Sequence, residues 1–357
     1  IFSIGTLNKE ITLFFNGSEI NNKVMSKKYN VFGIGNALVD IVTEVNDQFL
    51  VEHNIEKGLM TLVDEESQSR ISEAINMSKS NKQCGGSAAN TIIAVAQFGG
   101  SSYYSCKVAN DELGNFYRKD LKANGVDSNL DGHDLEEGIT GKCLVMTTDD
   151  ASRTMNTFLG ITADYSTKEI TEQALKDSEY LYIEGYLVTS ENGQAAMRHA
   201  KKIAEENGVK TALTFSDPSM VKYFKEPMQS VVGASVDLLF CNEEEAMLYT
   251  GKDNLLDARE ALKKEAKRFV ITQGANGAMI YDGDTFVDIE PYKVEAIDTN
   301  GAGDLFAGAF LAAITSGRSF ADAGKLASLA SSKVVTQFGP RLEWHQAKDI
   351  LHQIQNG

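Results

Sequence analysis

From Val31 onward the chain alternates short apolar runs with segments of helical periodicity, and this alternation restricts the folds that it can adopt. The apolar runs are rich in aromatic and β-branched residues, as buried strands are, and they occupy residues 31–35, 180–183, 211–215, 236–240 and 268–272. Apolar residues recur at helical spacing in residues 191–207, 257–266 and 319–336. Strands that alternate with helices predict a mostly parallel sheet with helices on both faces.

Two stretches interrupt this alternation, at residues 40–62 and 139–160. Both show strand-like alternation without an intervening helix, and together they are predicted to form a small β-sheet lid over the larger domain. The predicted fold is therefore a three-layer α/β/α domain at residues 25–357, with this lid. Residues 1–24 precede Met25 and are interpreted as an added or upstream extension, which could form a hairpin around an Asn-Gly turn.

The charge and cysteine content exclude several classes of partner. The 34 Lys and Arg and 50 Asp and Glu give a formal net charge of −16, which repels nucleic acid phosphates and anionic membranes, and no basic patch opposes it. The four cysteines lack the close spacing of zinc or redox motifs, which fits a reducing cytosol. No apolar run approaches the roughly 18 residues of a membrane span. These features predict a cytoplasmic protein, a monomer or homodimer, that acts on a small molecule.

The strongest chemical motif is a glycine-rich turn at residues 298–304, which leads directly into an apolar helix. Glycines let backbone N–H groups approach an anion, and a helix N-terminus adds about half a positive charge. Asp304 lies in the first turn of this helix. Its carboxylate could accept the proton of an attacking hydroxyl during phosphoryl transfer, although capping of the helix is the commoner role for such an Asp.

A second glycine-rich helix start occupies residues 84–91, with the sequence Cys-Gly-Gly-Ser-Ala-Ala-Asn-Thr. In their order and separation, the two motifs resemble the signature motifs of the ribokinase family, also called the PfkB family of carbohydrate and nucleoside kinases. The resemblance extends over about residues 31–339. It implies an α/β sandwich with a β lid, ATP and magnesium as co-substrates, and transfer of the γ-phosphate to a hydroxymethyl group.

The resemblance also implies roles within the catalytic turn. Asp304 matches the catalytic base of the family, and the amides of Gly301, Ala302 and Gly303 match its anion hole. A monovalent cation such as K⁺ binds near the position of Asp298 in some relatives, which makes it a further candidate here.

Two other segments are similar to the nucleotide-binding motifs of the family. Asn242 to Glu245 resembles an Asn-x-x-Glu motif, in which Glu245 helps to organise magnesium and phosphate through water; without the resemblance, this acidic run predicts a solvated helix start. Thr272, Gly274 and Gly277 resemble a Thr-x-Gly-x-x-Gly nucleotide loop, which alone would read as a simple turn. The sequence lacks both a Gly-x-x-x-x-Gly-Lys-Ser/Thr loop and a dinucleotide fingerprint.

The acceptor is predicted from residues that resemble adenosine-kinase-like members of the family, and the chain looks closer to bacterial members than to eukaryotic ones. Asp40 would hold the ribose hydroxyls through charge-assisted hydrogen bonds. Phe158 and Tyr186 would offer surfaces to a base, although both could be core aromatics, and Arg153 would contact phosphate. The predicted substrate-binding residues are Asn36, Asp40, Gly85, Gly86, Asn90, Arg153, Phe158, Tyr186 and Asn300.

These features lead to a specific hypothesis. The chain transfers the γ-phosphate of ATP to the 5′-hydroxyl of adenosine, with Asp304 as general base. The alternatives are a sugar kinase of the same family, acting on ribose, fructose or a ketodeoxy sugar, and a nucleoside-binding protein that has lost catalysis.

Overall fold

Strands and helices alternate along the chain in the computed structural model, which describes residues 27–58, 60–75, 81–150 and 153–356. The predicted extension at residues 1–24 lies outside this part. In chain order, the strands are β1 (Tyr29–Ile34), β2 (Leu38–Glu44), β3 (Met60–Leu62), β4 (Asn81–Gly85), β5 (Ser102–Ser105), β6 (Val126–Ser128), β7 (Thr140–Thr147), β8 (Arg153–Gly160), β9 (Ser178–Glu184), β10 (Lys210–Thr214), β11 (Leu238–Asn242), β12 (Phe269–Thr272), β13 (Ala278–Tyr281) and β14 (Phe286–Ile289).

The α-helices connect and cover these strands. They are α1 (Asp47–Glu52), α2 (Glu65–Ala74), α3 (Ser87–Gln97), α4 (Glu112–Ala123), α5 (Glu172–Lys176), α6 (Glu191–Glu206), α7 (Pro218–Tyr223), α8 (Lys225–Val232), α9 (Glu243–Thr250), α10 (Leu255–Leu262), α11 (Ala302–Thr315), α12 (Phe320–Val334) and α13 (Trp344–Asn356). The three helices predicted from periodicity are confirmed as α6, α10 and α12, although α10 ends at Leu262 and not at Ala266. Their starts follow side-chain caps, as at Ser190, which accepts a hydrogen bond from the N–H of Gly193.

The larger sheet has the strand order β14-β13-β12-β11-β10-β9-β1-β5-β6. In this order, all neighbouring strands between β12 and β6 pair in parallel. Only β13 and β14 are antiparallel, at one edge of the sheet. Alternate residues of β9 enter different apolar clusters, Tyr180 and Tyr182 on one face and Leu181 and Ile183 on the other. The sheet is therefore buried on both faces, as the apolar runs predicted.

The second sheet has the order β3-β8-β7-β2-β4 and mixes parallel with antiparallel pairs. Its strands come from both stretches that interrupt the alternation, and β4 joins from outside them. Gln68 of α2 covers one face, donating through Nε2 to the carbonyls of Lys142 (2.8 Å) and Asn156 (3.1 Å).

One detail of the sequence interpretation was wrong, because helix α1 lies within residues 40–62, where no helix was expected. Asn46 caps this helix by accepting a hydrogen bond from the N–H of Phe49 (2.8 Å). A single short turn with one buried residue, Leu50, leaves too little periodicity to detect.

Helices α3 and α11 pack against each other, so that their N-termini lie side by side. A Cβ atom at Gly308 would overlap the carbonyl of Thr91, so glycine allows this close approach. In the described part of the chain, no helix has the length and apolarity needed to cross a membrane.

Candidate active site

A cavity of about 430 Å³ lies between the second sheet and the ends of the central strands. It opens at the carboxyl ends of β9 to β12, the edge at which α/β sheets usually bind ligands. Most of the predicted site residues line it, namely Asn36, Asp40, Gly86, Asn90, Tyr186, Asn242, Glu245, Thr272, Asn300, Gly301, Gly303 and Asp304. Residues from distant parts of the sequence therefore share one cavity.

Asp304 is held by side chains of the other glycine-rich motif. Its Oδ1 accepts a hydrogen bond from the Ser87 hydroxyl (2.6 Å), and its Oδ2 accepts one from the Asn90 amide Nδ2 (3.1 Å). Burial raises the pKa of Asp304 above its ordinary value, while the hydrogen bonds from Ser87 and Asn90 and the charge of Arg341 act in the opposite direction. Sequence reasoning had missed the contact of Ser87.

The turn before α11 is organised by the buried carboxylate of Asp298. Its Oδ1 accepts a hydrogen bond from the N–H of Asn300 (2.9 Å). Gly301 then adopts φ of 72°, in the left-handed region, and forms the N-cap of α11. Both Gly301 and Gly303 line the cavity at this helix N-terminus, which favours an anion.

Ala302 differs from the other residues of the predicted anion hole. Its N–H donates to the carbonyl of Thr299 (3.3 Å), and the residue does not line the cavity. The structure thus brings two of the three predicted residues, Gly301 and Gly303, to the cavity wall.

The first glycine motif makes room for polar groups. A Cβ at Gly85 would overlap the carboxylate of Asp40, so Gly85 supports Asp40 without lining the cavity itself. Gly86 has φ of 101°, and a Cβ there would overlap the carbonyl of Asn36. Glycine is needed at both positions for these close approaches.

Glu184, which sequence reasoning had missed, lies at the end of β9 and also lines the cavity. Its Oε2 accepts a hydrogen bond from the N–H of Asn36 (2.5 Å). Burial raises the pKa of Glu184 to about 8, the N–H of Asn36 lowers it, and the nearby charge of Asp304 raises it. A glutamate that directly follows a buried apolar strand was the available signal in the sequence.

On the other side of the cavity, Asn242 and Glu245 form a reciprocal cap at the start of α9. The N–H of Asn242 donates to Glu245 Oε2 and the N–H of Glu245 donates to Asn242 Oδ1, both at 2.8 Å. Glu245 is only 4% exposed, and burial raises its pKa to about 7, with Asn242 opposing the shift and Asp217 adding to it. The first turn of α9 is acidic, but at Glu245 it is buried and not solvated.

The predicted nucleotide loop lies only partly at the cavity. Thr272 ends β12 and lines the wall, whereas Gly274 and Gly277 do not. Gly277 has φ of 93°, and a Cβ there would overlap the carbonyl of Ile289, so this glycine holds the turn close to β14.

The inner face of the second sheet is mostly apolar, with the polar side chains of Asp40 and Thr157 among the apolar ones. Successive side chains of a strand point to opposite faces, and on β8 the residues Met155, Thr157 and Leu159 face the cavity. The apolar residues of this wall are Leu38, Met60, Leu62, Val145, Met155 and Leu159.

Two predicted residues of β8 do not add to this wall. Phe158 alternates with Thr157 and Leu159, so its side chain lies on the opposite face of the strand, and the predicted base-stacking role is not supported there. Arg153 begins the strand and its backbone pairs with Thr147, but its side chain lies outside the described part of the structure.

A carboxylate at the start of a glycine-capped apolar helix, in a cavity at the carboxyl edge of an α/β sheet, fits the requirements of a small-molecule kinase site. The family model described as pfkB family carbohydrate kinase matches residues 58–347, and the chain belongs to this family. It is therefore a phosphotransferase that acts on an alcohol group.

Known relatives include both nucleoside and sugar kinases. The solved structure of adenosine kinase from Sinorhizobium meliloti is 33% identical, covers 91% of this chain and 99% of its own, and superposes with a TM-score of 0.84. The solved structure of a probable sugar kinase from Rhizobium etli is 31% identical, covers 92% of this chain and 100% of its own, and superposes with a TM-score of 0.83. The adenosine kinase of Schizophyllum commune is 26% identical over 88% of this chain and 97% of its own length.

Proposed function

We propose that the chain is an adenosine kinase, which transfers the γ-phosphate of ATP to the 5′-hydroxyl of adenosine. The apolar inner face of the second sheet is the observation that carries this proposal. A nucleoside has a flat base that gains from burial against such a wall, whereas a free sugar is polar on all sides and would leave its hydroxyls unpaired there. The named activities of the relatives from Sinorhizobium meliloti and Schizophyllum commune support the same acceptor.

Asp40 supplies the polar part of this acceptor site. It lies on the same sheet face as Leu38 and lines the cavity, with Gly85 leaving space for its carboxylate. A carboxylate can accept hydrogen bonds from both hydroxyls of a ribose, and charge-assisted bonds of this kind are strong. Asp40 thus orients the ribose while the apolar wall holds the base.

In the proposed mechanism, Asp304 accepts the proton of the 5′-hydroxyl as that oxygen attacks the γ-phosphorus. The hydrogen bonds from Ser87 and Asn90 hold the carboxylate in place, and the N-terminus of α11 stabilises the charge on the transferred phosphoryl group. The second sheet acts as a lid that closes over the acceptor. Met60 and Leu62, which are 38% and 54% exposed, would become buried on closure, and this excludes water from the reaction.

The residues opposite Asp304 fit a nucleotide with magnesium. Glu245 presents a buried carboxylate to the cavity beside Asp217, a pair that gains from a divalent cation, and Glu245 would hold it through water. Asn242 and Thr272 lie at the same wall, on the nucleotide side. When bound, magnesium would neutralise part of the negative charge of the phosphates. Activation by K⁺ near Asp298, and a cytosolic location, remain predictions.

The test is ADP release from ATP, measured across adenosine, ribose, fructose and a ketodeoxy sugar. We expect turnover with adenosine, and loss of about a hundredfold or more of that turnover in Asp304→Asn, because a general base contributes on this scale. Asp322→Asn is a matched control, since Asp322 occupies the first turn of α12 instead. Binding of adenosine, read from thermal shift, should survive in Asp304→Asn.

Other results would contradict parts of the proposal. Turnover with sugars alone would make the chain a sugar kinase, as the Rhizobium etli relative is described. Binding of adenosine without ADP release would identify a nucleoside-binding protein. Near-normal turnover in Asp304→Asn would remove Asp304 from the role of base.

A further inference from the structure

Three consecutive residues near the end of the chain touch both glycine-rich motifs of the site. The N–H of Gly339 donates to Oδ2 of Asp298 (2.8 Å), the carboxylate that organises the anion-binding turn. Pro340 packs directly against Gly301, where a Cβ atom would overlap it. One end of this segment, residues 339–341, therefore fixes the turn that precedes α11.

Arg341 attaches the other end of the segment to α3. Its Nε donates to the Asn90 side-chain oxygen (3.0 Å), its Nη1 donates to Asp120 Oδ2 (3.1 Å), and its Nη2 donates to the carbonyl of Cys84. The side chain is only 11% exposed, so these bonds form away from bulk water. Arg341 thus fixes the start of the helix that carries Asn90.

The Asn90 amide is held between Arg341 and Asp304, one partner at each end. A guanidinium group only donates hydrogen bonds, so the Asn90 oxygen must face Arg341. The Asn90 Nδ2 group then points the other way and donates to Asp304 Oδ2 (3.1 Å). Without Arg341 the Asn90 oxygen would lose its donor, and the bond to Asp304 alone would hold the amide, which leaves it freer to move.

We propose that Arg341 is a positioning residue for phosphoryl transfer, which sets the Asn90 amide and through it the catalytic carboxylate. The segment 339–341 at the same time couples this carboxylate to the anion-binding turn. The inference rests on the proposed role of Asp304 as base, and nothing in the sequence motifs assigns a role to Arg341.

The charge of Arg341 provides a readout that a purely structural role would not affect. The titratable groups that face Asp304 are Arg341, Glu184, Tyr182 and Tyr186. Among the four, Arg341 carries the positive charge, and it lowers the pKa of Asp304. Its removal should therefore move the acid limb of the kcat/KM profile to higher pH, because that limb reports ionisation of the base in the free enzyme.

The experiment compares three variants by ADP release with adenosine, or with fructose should adenosine not be a substrate. Arg341→Met removes both the charge and the donors, and we expect kcat to fall about tenfold or more with an unchanged KM for ATP, because small misplacements of reacting groups have effects up to about a hundredfold. Arg341→Lys keeps the charge but not the three-point contact. We expect a lower kcat and an acid limb near that of the wild type.

Asp120→Asn is the matched control. It removes the ion pair with Arg341 but leaves the bond between Arg341 and Asn90, so kcat and the pH profile should stay near wild type. Unfolding midpoints are measured for all variants. If Arg341→Met does not fold, the kcat of Arg341→Lys alone tests the proposal.

Three results would overturn the inference. Arg341→Met or Arg341→Lys could retain the wild-type kcat, the pH limb could stay fixed in Arg341→Met, or Asp120→Asn could lower kcat as much as Arg341→Met does. Failure of the proposed function is separate, because it appears as absence of ADP release with adenosine in the wild type, and failure of Asp304 as base appears as full activity in Asp304→Asn.

Discussion

Replacing Glu184 by Gln should change how the stability of the protein depends on pH. The folded protein raises the pKa of this carboxyl from 4.5 to about 8, mainly through burial. Between these two values the unfolded chain loses the proton while the folded protein keeps it. Stability therefore falls as pH rises, by about 1.4 kcal/mol per pH unit.

The magnitude follows from this window. From pH 4.5 to pH 7 the wild type should lose about 3 kcal/mol of unfolding free energy through Glu184, and the loss should end near the pKa of about 8. Gln has nearly the same shape, and its oxygen can still accept the hydrogen bond from the N–H of Asn36. The Gln variant should therefore gain about 3 kcal/mol on the wild type over this range.

The assay is denaturant unfolding of both proteins at several pH values between about 4.5 and 8, a range that covers both pKa values. Glu343→Gln, which removes an exposed carboxylate, controls for the loss of one negative charge. Because the charge of Asp304 helps to raise the pKa of Glu184, the gain should be smaller when Glu184→Gln is made in the Asp304→Asn background. Parallel stability curves for wild type and Glu184→Gln would refute the reasoning.

Two further predictions concern the turn and the acceptor site. Gly301→Ala should lower the unfolding free energy by more than about 1 kcal/mol, because φ is 72° and the new Cβ would overlap Pro340. Gly303→Ala, whose Cβ would meet no protein atom within 4 Å, should keep its stability in denaturant but lose ADP release, since the methyl group narrows the anion site; equal stability losses would contradict this difference. Asp40→Asn should raise the KM for adenosine about tenfold or more, with little change for ATP, because hydrogen bonds to a charged group contribute about 1.5–3 kcal/mol; an unchanged KM in the ADP-release assay would exclude Asp40 from ribose binding.

Local patterns in the sequence determined the class of fold and much of the cavity wall. Strand and helix periodicities repeat over a few residues, so the α/β architecture could be derived without any long-range information. The glycine-rich turns could also be predicted from the sequence. Gly86 and Gly301 both have positive φ and close contacts that residues with a Cβ tolerate poorly. The resemblance to the PfkB family connected these separate segments to one function, phosphoryl transfer from ATP.

Other features were decided only by tertiary structure, because they depend on which residues meet in space. Arg341 contacts Asn90 across 251 residues of sequence, and no local pattern connects them. The strand-like alternation of residues 139–160 could not say which face of β8 meets the cavity, and Phe158, a candidate for contact with the base, does not line it. Glu184 gained its raised pKa from packing on all sides, since desolvation is a property of the assembled fold and not of neighbouring residues in the chain.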